Sequence, residues 1–296
     1  MDEPGTVRPL DRPPIVVGYD GSSASDAAAR WAAGTAQRLG RRVRMVHVMP
    51  WPVMRSTSGT SVLVGRDVLG HAAERLLEKA CRHLRADYPE VAIEADVAIG
   101  DPVPILSREG AGALMLVLGS RGLGEVREEI AGSVMTHLAT HAACPVVVVP
   151  TGWSARPGDV VVGVDGSAYS SSAVEFGFRL AEAAGVGVRA VLAWHDPQST
   201  GPGDMLFPVS DLDALEEDSG AVLGAAVAGQ AVDHPDVKTT EKLVHGLAAK
   251  VLVDESRDAS LLVVGSHGLG LLRSLLLGSV SRAILRHATC PVAVVR

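Results

Sequence analysis

Ile15-Val-Val-Gly-Tyr-Asp-Gly-Ser22 is a short apolar run that stops at Asp-Gly-Ser, and it returns as Val160-Val-Val-Gly-Val-Asp-Gly-Ser167. Leu116-Val-Leu-Gly-Ser-Arg-Gly-Leu-Gly124 likewise returns as Leu262-Val-Val-Gly-Ser-His-Gly-Leu-Gly270. Gly132-Ser-Val recurs as Gly278-Ser-Val, and His141-Ala-Ala-Cys-Pro-Val146 as His287-Ala-Thr-Cys-Pro-Val292. The offset is 145 at the start and 146 from Gly100 and Gly246 onward, so one net residue separates the two copies in mid-unit. Matches in one order at a near-constant offset mean an internal duplication.

The periodicity inside a copy alternates between strand and helix. Ile15–Tyr19 reads as a strand, and Ser23–Leu39 as a helix with apolar residues at helical spacing and Gly40 as its C-cap. Val43–Val48 is strand-like, a loop runs to about Gly59, and a long helix follows to about Asp87. Val91–Val97, Ala113–Leu118 and Val146–Val149 read as strands, with helices over Pro102–Glu109 and Ser133–Thr140 between them. Strict β-α alternation predicts an α/β fold built on a parallel sheet. Two such domains are expected in tandem, 14–150 and 159–296, joined by a linker at 151–158 and preceded by a flexible segment at 1–13. So short a linker predicts that the copies pack together.

Composition agrees. Hydrophobic residues make up 47% of the 296, but aromatics only 3%, so the core must come from Val, Leu, Ile and Ala. That suits a parallel sheet covered by helices. The net charge of −7 falls mostly on residues 151–296, and no basic stripe appears, which argues against a nucleic-acid partner. Cys81, Cys144 and Cys290 lie far apart with no CxxC, as expected of reduced thiols in a cytoplasmic protein. Met1–Pro14 has no apolar core of a signal peptide, and the longest apolar stretches are too short to cross a bilayer. A soluble chain without a membrane partner is the expectation.

In open α/β sheets, ligands bind beyond the carboxyl ends of the strands. There the first copy carries Gly119-x2-Gly122-x9-Gly132-Ser133 and the second Gly265-x2-Gly268-x9-Gly278-Ser279. Glycines let backbone approach phosphate oxygens, and the free N–H groups at the following helix start, with its dipole, attract the anion. The serine hydroxyl either adds a donor or caps the helix. Neither the P-loop GxxxxGK[ST] nor the Rossmann fingerprint fits. Asp20 and Asp165 end the first strand of each copy. Each is read as bonding ribose hydroxyls or placing a metal on the phosphates, with an Asx-turn or N-cap into the first helix as the alternative.

At these residues the chain resembles the universal stress protein family in its tandem form, over about 15–150 and 158–296. The most specific element is G-2x-G-9x-G-[S/T], the signature of the family's ATP-binding branch. The opening V-G-x-D-G-S and the closing H-A-x-C-P-V add to it. The resemblance implies two doubly wound domains, each a five-stranded parallel sheet of order 3-2-1-4-5 with helices on both faces. It implies pairing through the last strands as a pseudo-dimer within the chain, with a further homodimer open. Adenine would meet the end of the second strand at Val48 and Ala193. Phosphates would meet Gly119, Gly122, Gly132, Ser133 and Val134 in one copy, and Gly265, Gly268, Gly278, Ser279, Val280 and Ser281 in the other, with Mg2+ as a companion. The implied function is a nucleotide-dependent stress regulator with a protein partner and weak or no turnover.

The copies differ. The first has Glu125, Glu128 and Glu129 in its loop, partly offset by Arg121 and Arg127, and Met135 where the second has Ser281. Carboxylates beside a triphosphate repel it, so tighter ATP binding is expected in the second copy. His267, in place of Arg121, either touches phosphate or faces solvent. Trp51 and Trp194 are read as covering the core ahead of flanking adenine. Asp211–Asp218 reads as the solvated start of a helix. His141 and His287 are read as structural, with no second ligand beside them. Two alternatives stand beside the regulator. A slow ATPase or nucleotidyl transferase would want a cationic clamp, yet Lys79, Lys238, Lys242 and Lys250 all lie outside the loops. A ligand-free partner-binding module would have no use for the glycines.

Overall fold

The computed structural model describes residues 12–49, 66–120, 133–195, 212–268 and 277–296. The chain divides into two compact units, Met1–Ala155 and Arg156–Arg296. The first runs β1 (Ile15–Gly18), α1 (Ser23–Leu39), β2 (Val43–Met49), α2 (Arg66–Asp87), β3 (Ile93–Ile99), α3 (Pro102–Gly110), β4 (Met115–Gly119), α4 (Ser133–His141) and β5 (Val146–Val149). Its strands pair in parallel in the order β3-β2-β1-β4-β5. The second runs β6 (Val160–Val164), α5 (Ala168–Ala184), β7 (Val188–Trp194), α6 (Leu212–Asp233), β8 (Thr239–His245), α7 (Ala248–Glu255), β9 (Leu261–Gly265), α8 (Ser279–His287) and β10 (Val292–Val295). Its order is β8-β7-β6-β9-β10, also parallel. Both units thus have the 3-2-1-4-5 order.

Burial follows strand position. Ile15, Val16 and Val17 of β1, and Leu116 and Val117 of β4, have no exposed surface, as strands covered on both faces require. The outer strands β3 and β8 are mostly open to solvent. The helix faces laid on the sheet are short-sided. Ala24, Ala27, Ala28, Ala32 and Ala36 of α1 are buried, and at Gly177 of α5 an added Cβ would come within 2.5 Å of Val162 Cγ2. Small side chains bring the helix axis close to the sheet, which is how a core nearly without aromatics still packs densely.

Asp-Gly-Ser does one job three ways in each copy. Asp20 and Asp165 each accept the N–H two residues on, at 3.0 and 2.9 Å. Gly21 and Gly166 take φ of +84° and +80°, left-handed backbone that a side chain would strain. Ser22 and Ser167 cap the helices by accepting from Ser25 and Ser170. At the far ends Gly40 and Gly185 close α1 and α5 in the left-handed conformation.

Where element ends depart from the sequence reading, packing explains it. The third strand begins at Ile93, two residues later than expected, because Val91 bonds back to the Tyr88 carbonyl in a turn and is buried there. The long helix α2 begins at Arg66, and residues 50–65 lie outside those described.

Candidate functional site

In the second unit the carboxyl ends of β6, β7 and β9 open into a cleft of about 570 Å3, within the range of small-molecule sites. It lies where the chain leaves β6 for one side of the sheet and β9 for the other, the switch point of a doubly wound fold. Its inner wall is apolar: Val191 from β7, Val264 from β9 and Leu252 from α7. At Gly163 a Cβ would meet Leu252 Cδ1 at 2.9 Å, so the wall is already filled to contact there.

The polar wall is backbone-rich. Gly278 is the N-cap of α8 and, having no side chain, gives that helix no side-chain cap. The first turn, Ser279 to Arg282, lines the cleft, so the positive end of the helix dipole faces it. Three contacts hold this turn in place. Gly278 N–H bonds the Ser266 carbonyl at 3.0 Å, Arg282 N–H bonds the Gly278 carbonyl at 3.0 Å, and Ser281 Oγ donates to the Gly265 carbonyl at 2.8 Å. Arg282 Nη2 folds back to the Leu277 carbonyl at 3.1 Å and brings a cation to the rim.

Glycine is demanded here by close approach. A Cβ on Gly268 would lie 2.5 Å from Asp165 Oδ2. One oxygen of Asp165 is therefore spent in the turn to Ser167 while the other stands over the loop glycine. A Cβ on Gly265 would meet Tyr169 Cβ at 2.8 Å, so that glycine is required for packing α5 against the strand end. Gly119 has the same reason in the first unit, with Ala24 atoms at 2.6 and 2.8 Å. His267 lines the cleft with its ring 5.2 Å from that of Tyr169 and its Nδ1 3.0 Å from Ser266 Oγ. Its Nε2 is buried with no hydrogen-bond partner among the described residues.

A family model described as the universal stress protein family matches residues 12–150 and again 158–296. The chain belongs to the universal stress protein family. It is similar to a universal stress protein of Mycobacterium tuberculosis, 35% identical over 301 residues, with 98% of this chain and 99% of that one covered. A second from the same organism is 34% identical over 303 residues, covering 95% and 94%. Among solved structures, a universal stress protein from Archaeoglobus fulgidus superposes with a TM-score of 0.61 at 19% identity, over 95% of this chain and 97% of that one, which bears on the fold.

All eight residues expected for the second copy meet in this one cleft of the family member. Asp165, Ala193, Gly265, Gly268, Gly278, Ser279, Val280 and Ser281 all line it. In the first copy Asp20, Val48, Gly119, Ser133 and Val134 occupy equivalent positions, whereas Gly122 and Gly132, with Arg121, Glu125, Arg127, Glu128 and Glu129, lie outside the described residues. Met135 is buried at the place of Ser281, so the hydroxyl-to-carbonyl tie of the second unit has no counterpart from that side chain. The sequence reading missed Arg282 and Leu252. Arg282 stands three residues into a helix whose start the glycines mark, which is a usable signal, whereas Leu252 comes from a distant helix.

Trp194 packs edge-on against His245, ring centres 4.6 Å apart, and Trp51 lies outside the described residues. Burial pushes the Cys144 thiol up to about 11 and that of Cys290 up to about 12, which leaves them protonated and unreactive. Asp213, Glu216, Glu217 and Asp218 are exposed in the first turns of α6. His141 ends α4, as its structural reading expects, and it has a histidine neighbour that the sequence reading passed over. His137, one helical turn back, stacks on it with ring centres 4.4 Å apart. Among the described residues no group of three or more His, Cys, Asp or Glu is placed to hold a metal, and no helix is long and apolar enough to cross a membrane.

Proposed function

We propose that this family member binds ATP in the cleft of its second unit and acts as a nucleotide-dependent stress regulator, with turnover absent or slow. The observation that carries the reading is the start of α8, without a side-chain cap, facing a cleft in which a Cβ on the loop glycine Gly268 would press on Asp165 Oδ2. Phosphates there would take the N–H groups of Ser279 and Val280 beside Gly268 and Gly278, with Arg282 offsetting their charge. The base would lie toward Ala193 at the end of β7, against the Val191 and Leu252 wall. Asp165 Oδ2 would then meet ribose hydroxyls or a phosphate-bound Mg2+. Asp20, Val48, Gly119, Gly122, Gly132, Ser133 and Val134 form the corresponding set of the first unit, where Met135 and three glutamates favour weaker binding. Occupancy would be read by a protein partner in the cytoplasm, through the pairing of the two copies or of two chains.

Nucleotide released on denaturing the purified chain identifies the ligand by mass spectrometry. Adenine nucleotide at one equivalent or more, or micromolar binding of added ATP, is expected. A chain that comes out empty and also ignores added ATP overturns the reading. Accumulation of ADP that stops in Asp165→Ala would instead mark an enzyme.

A further inference from the structure

We infer that His137 and His141 of α4 form a surface site for a divalent transition-metal ion that favours imidazole, Zn2+ or Ni2+. The two residues are one turn apart on the same helix face, both are exposed, and their rings lie nearly parallel at 28° with centres 4.4 Å apart. His141 Nδ1 stands 3.1 Å from the His137 carbonyl oxygen. A carbonyl only accepts, so Nδ1 carries the proton, and in the neutral ring Nε2 holds the lone pair a metal needs. A ligating imidazole usually has this arrangement, with its other nitrogen donating to a carbonyl or carboxylate.

Metal-to-nitrogen bonds of about 2.0–2.1 Å put two nitrogens of a tetrahedral centre roughly 3.4 Å apart. The rings are stacked with centres 4.4 Å apart, and rotation of the His137 ring about its side-chain bonds would bring its nitrogen to that spacing while His141 keeps its bond to the carbonyl. His141 is also the last residue of α4, so a cation there meets the negative end of the helix dipole. The three thiols that would compete for such an ion are buried. With two protein ligands, the remaining positions fall to water or a solution ligand, and affinity stays below that of a closed four-ligand site. The second unit offers its own contrast: α8 has His287 at the place of His141 but Ala283 at the place of His137. The site stands apart from the nucleotide reading and does not depend on it.

The test uses the full chain without a polyhistidine tag, titrated with Zn2+ by calorimetry in a non-chelating buffer. His137→Gln and His141→Gln should each weaken the binding at least tenfold, while His287→Gln leaves it as in the parent. A parent that takes up no Zn2+, or either of the first two variants binding as tightly as the parent, overturns the site.

Discussion

At Gly268 the difference between hydrogen and methyl is the difference between contact and collision with Asp165 Oδ2, 2.5 Å from where a Cβ would sit. Gly268→Ala should therefore weaken ATP binding tenfold or more while leaving the melting temperature within a few degrees, because the residue is exposed and its loop, not the core, absorbs the shift. Unchanged affinity in a calorimetric titration would remove Gly268 from the site. Ser281 tests the other wall. Its hydroxyl is buried and donates to the Gly265 carbonyl, which lines the cleft, so Ser281→Ala removes that tie and should cost about 1 kcal/mol in urea unfolding. A variant as stable as the parent would mean that the carbonyl finds another donor. Sequence alone distinguished these residues unevenly. Gly268 and Gly278 could be read from spacing, but Gly119 and Gly265 owe their identity to helix packing as well, and a spacing cannot tell a glycine kept for a ligand from one kept for a neighbour.

Between elements, each unit fastens its second strand to its third helix through an arginine. Arg44 Nε meets Glu109 at 2.8 Å and Nη2 meets Asp96 at 2.9 Å. In the second unit Arg189 meets Glu255 at 2.9 Å, and Lys242 reaches the same carboxylate. Burial alone would raise the Glu255 pKa, but the hydrogen bonds and charges of Lys242 and Arg189 outweigh it and hold the carboxyl below the usual range. A carboxyl with a depressed folded pKa stabilises fully above its unfolded value, about 4.3, and loses that contribution as pH falls through the folded one. Glu255→Gln should therefore cost about 1–2 kcal/mol near neutrality and flatten the fall of stability below about pH 4.3. Denaturation curves from pH 3 to 7 that run parallel for parent and variant would contradict this. The partners lie far apart in sequence, beyond any local pattern, so this clasp was invisible there. The end of α1, by contrast, was legible from Gly40, and its start from the Asp-Gly-Ser turn, where the structure gives the cap to Ser22; the start of β3 was not, because a turn through Val91 imitates a strand residue.

Over the whole molecule, duplication predicts two sites and the differences between copies predict that they are unequal. ATP should bind with one tight equivalent. Gly278→Asp should abolish it, and Gly132→Asp should leave it nearly intact. A titration in which Gly132→Asp does the greater damage would reverse the assignment. The repeat, the β-α alternation and the parallel sheet followed from periodicity and offset alone. The strand order did not, since alternation is compatible with several windings; it came from likeness to a family, and both units have it.

One consequence follows from the way Asp165 is held. Its first oxygen is tied to the Ser167 amide at 2.9 Å before anything arrives. The rotamer entropy of that side chain is thus surrendered during folding. Whatever docks against the second oxygen meets a stationary charge and owes nothing for stilling it. An acid frozen in advance would let a ligand of this cleft be discriminated without a prior rearrangement of that side chain.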